Sequence, residues 1–141
     1  MSDGNVRNLE STCLRLRPDV SIEPLPVDER FWPRLMAGAL GDFHHEYLVT
    51  CHRHDADWPM WEQHPNGDEI VALLAGRATL VLESEGAQVS SLLAVPGDFV
   101  RFPRGSWHTA LVGEPSTLLF ITAGEGTRHR PVADHPVAQE T

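Results

Sequence analysis

The sequence predicts an all-β fold closed as a barrel or sandwich, and three features of the chain carry that prediction. From Glu46 onward, short runs rich in Val, Leu, Ile and aromatic residues recur: Tyr47 to Cys51, Glu69 to Ala75, Ala78 to Glu83, Val89 to Val95, Phe99 to Phe102, Trp107 to Val112 and Thr117 to Thr122. None of these runs reaches the roughly 11 residues of a typical helix. Between them fall Gly76, Gly86, the Pro96-Gly97 pair, Gly105 and Gly113, at the intervals of about 8–12 residues expected of small β sandwiches and barrels.

Each part of the chain can then be taken in order. Residues 1 to about 12 are a polar lead-in. Pro18, Pro24 and Pro26 punctuate an extended stretch in which Val20 and Ile22 alternate with polar neighbours. Asp28 is placed to cap a short helix through Arg30-Phe31, which Pro33 bends or ends. Ala37 to Asp42, small and glycine-containing, reads as a connection. The expected division is an arm and connecting segment over 1–45, a barrel over 46–124, and a tail over 125–141 that lies along the surface.

The bulk properties narrow the function. At 141 residues the chain fits one domain with a substantial core. A net charge of −9 argues against nucleic acid, whose phosphates require clustered Lys and Arg, and against an anionic membrane surface. Cys13 and Cys51 form no C-x-x-C pair, and no apolar run approaches the roughly 20 residues that span a bilayer. A cytoplasmic protein with reduced thiols is the expectation.

Two stretches carry the chemistry. In the first, alternate residues of a strand face one side, so Glu62 and His64 project together. Pro65-Asn66-Gly67-Asp68 then reads as a turn in which Gly67 tolerates a left-handed backbone, and Glu69 opens the next strand toward the same interior. In the second, Gly97 and the Pro103-x-Gly105 pair mark turns, and His108 opens a further strand that barrel closure could bring to the others. Two imidazoles and one or two carboxylates suit a divalent metal bound by nitrogen and oxygen.

These stretches resemble the two signature motifs of the cupin superfamily, and most closely its small single-domain, conserved-barrel members. The first family motif is His-x-His, three or four residues, Glu, six residues, Gly. The chain has Glu62-x-His64, four residues, Glu69, six residues, Gly76. The second is Gly, five residues, Pro-x-Gly, two residues, His, three residues, Asn. Here Gly97, Pro103, Gly105 and His108 match, and Val112 stands in place of Asn. The resemblance implies a double-stranded β-helix (jelly-roll) barrel with a short N-terminal arm or helix. It also implies His64, Glu69 and His108 as ligands of one divalent metal: Fe, Mn, Zn or Ni.

Glu62 replaces the first His of the family motif, which leaves three arrangements open. Glu62 binds, giving a harder, more negative site; or it swings out, leaving two His and one carboxylate; or the metal has been lost and Glu62 accepts hydrogen bonds from the imidazoles. Trp61, Trp107 and Arg101 are candidate walls of a substrate pocket, with Trp58 and Arg104 beside them. His52 and His54 read as a polar strand face, with the alternative that one of them borders the cavity, His44-His45 as strand neighbours facing opposite ways, and His129 and His135 as surface residues of the tail.

Two functions follow. One is a metal-binding cupin acting on a small organic molecule, dioxygenase- or isomerase-like. The other is a non-catalytic ligand-binding, sensor or scaffold cupin with a vestigial centre. The resemblance implies a homodimer, with the stretch from Arg15 to Pro26 available as an arm.

Overall fold

In the computed structural model, residues 4–133 are described, and His135 lies outside them. Two antiparallel sheets face each other. Their strands are β1 (Thr12–Leu16), β2 (Ile22–Pro26), β3 (Tyr47–His54), β4 (Met60–Gln63), β5 (Glu69–Ala75), β6 (Ala78–Ser84), β7 (Ala87–Leu93), β8 (Phe99–Phe102), β9 (Trp107–Leu111), β10 (Ser116–Thr122) and β11 (Arg128–Pro131). One sheet has the order β2-β1-β3-β10-β5-β8 and the other β11-β4-β9-β6-β7. This is the all-β jelly-roll barrel that the motifs imply.

Alternation along the strands builds the core. Val71 and Leu73 of β5, Leu118 and Phe120 of β10, Leu80 of β6 and Ala110 of β9 all point inward and are buried together. Register fixes this layer, since Phe120 lies opposite Val71 and Leu118 opposite Leu73. The turn residues act as punctuation, but for different reasons at two positions. At Gly76 the backbone is left-handed (φ +86°), and a Cβ would press into the backbone of Pro115 and Ser116. Gly67 does not take the left-handed backbone expected of it. It is small because the chain there lies against Ala123.

The first 45 residues are more structured than an arm. The expected extended stretch forms β1 and β2, an antiparallel pair that continues the six-stranded sheet through β1 and β3. The helix, α1 (Phe31–Met36), starts where the sequence suggests, with Asp28 Oδ1 accepting from the Arg30 amide at 2.9 Å. Pro33 does not end it. Proline falls in the first turn, where its missing N–H has no intrahelical acceptor to lose. Phe31 packs with Cys13, Phe43 and Leu48 in a second small core, so α1 and the segment after it roof one end of the inner sheet face.

That roof is pinned by Arg15. Its guanidinium pairs with Glu46 at 2.7 Å, donates to the Leu40 carbonyl at 2.7 Å, and lies 4.2 Å over the Phe43 ring. The pinned loop carries left-handed backbone at Phe43 (φ 60°) and His45 (φ 55°), which costs free energy unless surrounding contacts impose it. His44 and His45 are thus in a turn, not on a strand, and their rings stack at 3.8 Å instead of facing apart.

Hydrogen bonds from Arg15 hold the buried Glu46 carboxyl below its ordinary value, against the opposing effect of burial. A depressed carboxylate stabilises the fold above its unfolded-state pKa of about 4.3, and that stabilisation is lost as pH falls through the lower folded value. Glu46→Gln should therefore cost about 2 kcal/mol at neutral pH by leaving Arg15 without its anion. In denaturant titrations the gap between variant and wild type should close below about pH 4.

Candidate metal centre

Four side chains from three strands and one turn meet inside the barrel. Glu62 sits on β4, Glu69 opens β5, His108 lies on β9, and His64 follows β4 directly. Glu62 is opposite His108 in the β4–β9 register, which puts their inward side chains in one row. One ligand atom from each of the four residues lies within 4.8 Å of all the others. His64, Glu69 and His108 are buried, and Glu62 is partly buried at the mouth side.

The contacts define the chemistry. His64 Nε2 is 2.9 Å from Glu62 Oε1 and 3.1 Å from Glu69 Oε2, and His108 Nε2 is 3.6 Å from Glu62 Oε1. His108 Nε2 and Glu69 Oε1 approach to 2.7 Å, yet neither makes a hydrogen bond and both are buried. Buried polar atoms are nearly always paired or bound to an ion. This close pair, which forms no well-aligned hydrogen bond, has the nitrogen and oxygen donors that suit a divalent cation.

Surrounding groups orient these four. The Thr127 hydroxyl donates to the Gly124 carbonyl at 2.8 Å, so it accepts from His64 Nδ1–H at 2.9 Å. That bond leaves Nε2 of the neutral ring with its lone pair toward the centre, as a metal ligand needs. The Thr122 hydroxyl donates to Glu69 Oε2 at 2.7 Å. The His108 ring stacks on Phe102 at 4.6 Å.

Charge follows from the same contacts. Burial disfavours the charged form of His64, but hydrogen bonds to Glu62 and Glu69 outweigh it and raise the imidazole to about 9. His108 is likewise pushed up by the two carboxylates against the effect of burial. Burial works to raise Glu62 and Glu69, yet the imidazoles hold both carboxyls below their ordinary value. Without a cation the centre therefore balances two carboxylates against imidazolium charge.

Other sequence candidates are distributed differently. Trp61 and Trp107 are neighbours of the inward Glu62 and His108, so they face out. Arg130 lies over both rings, at 5.1 Å and 4.7 Å, and pairs with Glu83 at 2.6 Å. Arg101 pairs with Asp68 on the surface at 3.1 Å, and the Arg104 amide donates to the same carboxylate. None of Trp61, Trp107 and Arg101 lines the large cavity that opens beside the centre. That cavity, about 730 Å³, is walled by Trp32, His52, His54, Trp58 and Phe120, and Glu62, His64 and Glu69 also line it.

Two histidine assignments change. His52 and His54 are not a solvated strand face: they share the inward side of β3 with Thr50, because His52 is registered opposite Leu118 and His54 opposite Ser116. His129 is exposed at the surface, as expected, but it belongs to a strand. It sits on β11, opposite Glu62 in the register with β4, and its Nε2 is 2.9 Å from Glu62 Oε2. The alternation Arg128-His129-Arg130 was a usable strand signal. Thr122 and Thr127 had no signal beyond ordinary strand and turn composition.

Two antiparallel sheets with this strand order, closing on a His/Glu centre, define a double-stranded β-helix barrel. That order, with the two motifs meeting inside it, is the cupin-type fold that the sequence resemblance implies. No protein-family model matches the sequence, and no curated protein does. Among solved structures, the chain is similar to hydroquinone 1,2-dioxygenase from Sphingomonas sp. TTNP3 with 4-hydroxybenzoate bound (17% identity, TM-score 0.48, 56% of this chain and 60% of that one). It is similar to the Drosophila melanogaster CENP-C cupin domain (18%, TM-score 0.45, 54% and 63%). It is also similar to a cupin-2 domain protein from Shewanella frigidimarina NCIMB 400 (17%, TM-score 0.42, 53% and 68%). The chain spans less than two thirds of the dioxygenase and CENP-C chains, and at these identities the likeness concerns the fold alone.

His129 holds Glu62 by one carboxylate oxygen and leaves Oε1 toward the imidazoles. Replacing such an outer partner typically weakens metal binding about 10–100-fold. His129→Ala should do so in competition titrations with a chromogenic chelator, and His129→Gln, which keeps a donor, should recover part of the loss.

Proposed function

We propose that this protein binds one divalent metal through His64, Glu69, His108 and Glu62, and acts on a small organic molecule held in the adjoining cavity. The observation that carries this reading is the buried His108 Nε2 and Glu69 Oε1, an ion pair 2.7 Å apart with no well-formed hydrogen bond, beside the inward Nε2 of His64. The two-oxygen, two-nitrogen set favours Fe²⁺, Mn²⁺ or Zn²⁺ over softer ions, with Ni²⁺ a poorer match. A bound ion would supply Lewis-acid polarisation of a substrate oxygen, with redox chemistry added if it is iron or manganese. The protein's own groups set the rest: Thr127 fixes the His64 tautomer, Thr122 anchors Glu69, and His129 presents Glu62.

A second reading has its own support. Carboxylates and imidazoles already neutralise one another in this centre, which suits a non-catalytic ligand-binding cupin whose metal site is vestigial. Elemental analysis separates the two. Protein purified without chelators or a metal-carrying tag should contain close to one equivalent of Fe, Mn or Zn. His64→Ala and His108→Ala should lose it while keeping the β circular-dichroism signature. An empty wild-type site that stays empty after incubation with each ion supports the second reading.

Metal must displace the His64 proton, so loading at pH 7 should release at least one proton per ion. The sign is fixed: the apparent affinity rises with pH and levels off above about 9, once the imidazole is neutral. Calorimetry in buffers of different ionisation enthalpy measures the proton count directly.

The same proposal includes a homodimer and a cytoplasmic setting. The outer face of the six-stranded sheet carries two apolar rows, Val49-Ile121-Ile70 and Leu119-Ala72-Phe99, aligned by register. Phe99 is 62% exposed at the edge strand β8, and a second copy would cover both. Light scattering should give twice the mass of one chain, and Phe99→Glu should halve it. Cys13 and Cys51 are buried free thiols, both pushed up by burial and so poorly reactive, which suits a reducing compartment. Among the described residues no helix is long and apolar enough to cross a membrane.

A further inference from the structure

The large cavity has a character that the metal centre alone does not explain. Its wall is a continuous aromatic surface. Trp32 stands 5.0 Å from His52, Trp58 5.7 Å from Phe120, and Phe120 5.8 Å from His52 and 5.9 Å from His54, centroid to centroid. This surface runs up to the centre itself, because the Trp58 ring is 6.0 Å from that of His108. A ring bound against it would therefore lie beside the catalytic end of the barrel, not at a remote site.

The charges around the cavity are equally informative. Among the described residues no lysine or arginine lines it. His52 and His54 are driven toward the neutral form by burial. The acids at the mouth are engaged elsewhere: Asp42 accepts from the His44 amide at 3.0 Å, and Glu125 pairs with the His44 imidazole at 2.9 Å. Glu62 and Glu69 are matched by the imidazoles of the centre. A charged group held at the inner end of the cavity, away from the exposed Asp42, would thus lack a counter-ion in the ion-free protein, which is costly, whereas the unpaired Trp58 Nε1–H and His54 Nε2 suit a neutral polar group.

We propose that the cavity binds an uncharged, ring-bearing molecule of the phenol class, stacked on the Trp58, Phe120 and Trp32 wall with its hydroxyl toward the Glu69–His108 end. This rests on reading the barrel as a small-molecule site, and its selectivity by charge is that of the ion-free protein, since a bound cation would itself pair with an anionic ligand. Stacking supplies the affinity, and the missing counter-ions supply selectivity against aromatic carboxylates and aromatic amines.

The tryptophans provide the test. Trp32 and Trp58 line the cavity, whereas Trp61 and Trp107 are stacked under Arg130 on the outer face. Indole N–H cross-peaks, assigned with single Trp→Phe variants, should be followed by NMR while phenol, benzoate or benzylammonium is added. Phenol should shift the Trp32 and Trp58 signals saturably and leave Trp61 and Trp107 in place. Benzoate and benzylammonium should bind at least about tenfold more weakly, the least expected from burying an unpaired charge.

Trp58→Ala should abolish the phenol response at Trp32, and Trp58→Phe, which keeps a ring, should retain it. In chelator-treated protein, benzoate or benzylammonium binding as tightly as phenol, or no saturable shift at Trp32 and Trp58, would overturn the proposal. The titration is run on chelator-treated and on metal-loaded protein with metal content measured separately, so failure of the ligand class is distinguished from failure of the metal reading.

Discussion

The structure depends on burying two carboxylates and two imidazoles at one point inside a β barrel. An isolated buried carboxylate is among the costliest groups a fold can contain. Here Glu69, only 1% exposed, is tolerated because His108 and His64 sit against it and Thr122 donates to it. Balance of charge is thus a condition of folding as well as a device for chemistry. The centre is neutral with protons on its imidazoles, and equally neutral when a divalent ion replaces them. Proton and metal compete for one position, and barrel closure is compatible with either.

Glu62 shows how a substitution can be absorbed. Where the family motif has a neutral imidazole, this chain places a further anion, which unaided would repel Glu69. Two features offset it. Glu62 lies toward the mouth and keeps partial contact with solvent, and His129 comes from the added strand β11 to occupy its second oxygen. The carboxylate at position 62 is thus met by a histidine one strand away. It stands in the outer layer, since the four groups that converge within 4.8 Å do not include it.

Much of this centre was legible from local rules. Glu62 and His64 share a side through strand alternation, a four-residue turn returns the chain at Glu69, and Pro103 and Gly105 set up the strand of His108. The same alternation, applied one residue further, also shows why Trp61 and Trp107 cannot wall the pocket. If Glu62 and His108 point inward, their neighbours point out, and Arg130 collects both rings there. The facing of His52 and His54 was not local information. It follows from the pairing of β3 with β10, which sets them opposite Ser116 and Leu118, and a slip of one residue would have put them in solvent. His129 was hidden for a similar reason, since only the pairing of β11 with β4 brings it to Glu62.

The segment ahead of the barrel completes the argument. Two open sheets would leave the inner faces of Leu48, Thr50 and His52 in water at one end, and the aromatic wall would be a groove. Instead α1 and the loop after it cover that end, contributing Trp32 and Phe43 to the cavity. The cover has little helix to stabilise it, being six residues long with a proline inside. What holds it is Arg15, reaching from β1 to Glu46, to the Leu40 carbonyl and to the face of Phe43 at once. A single guanidinium, far in sequence from every candidate ligand, therefore anchors the segment that covers one end of the space beside the centre. The left-handed residues at Phe43 and His45 lie in that same loop, where backbone strain is expected when a segment is shaped for the cavity it covers and not for its own comfort.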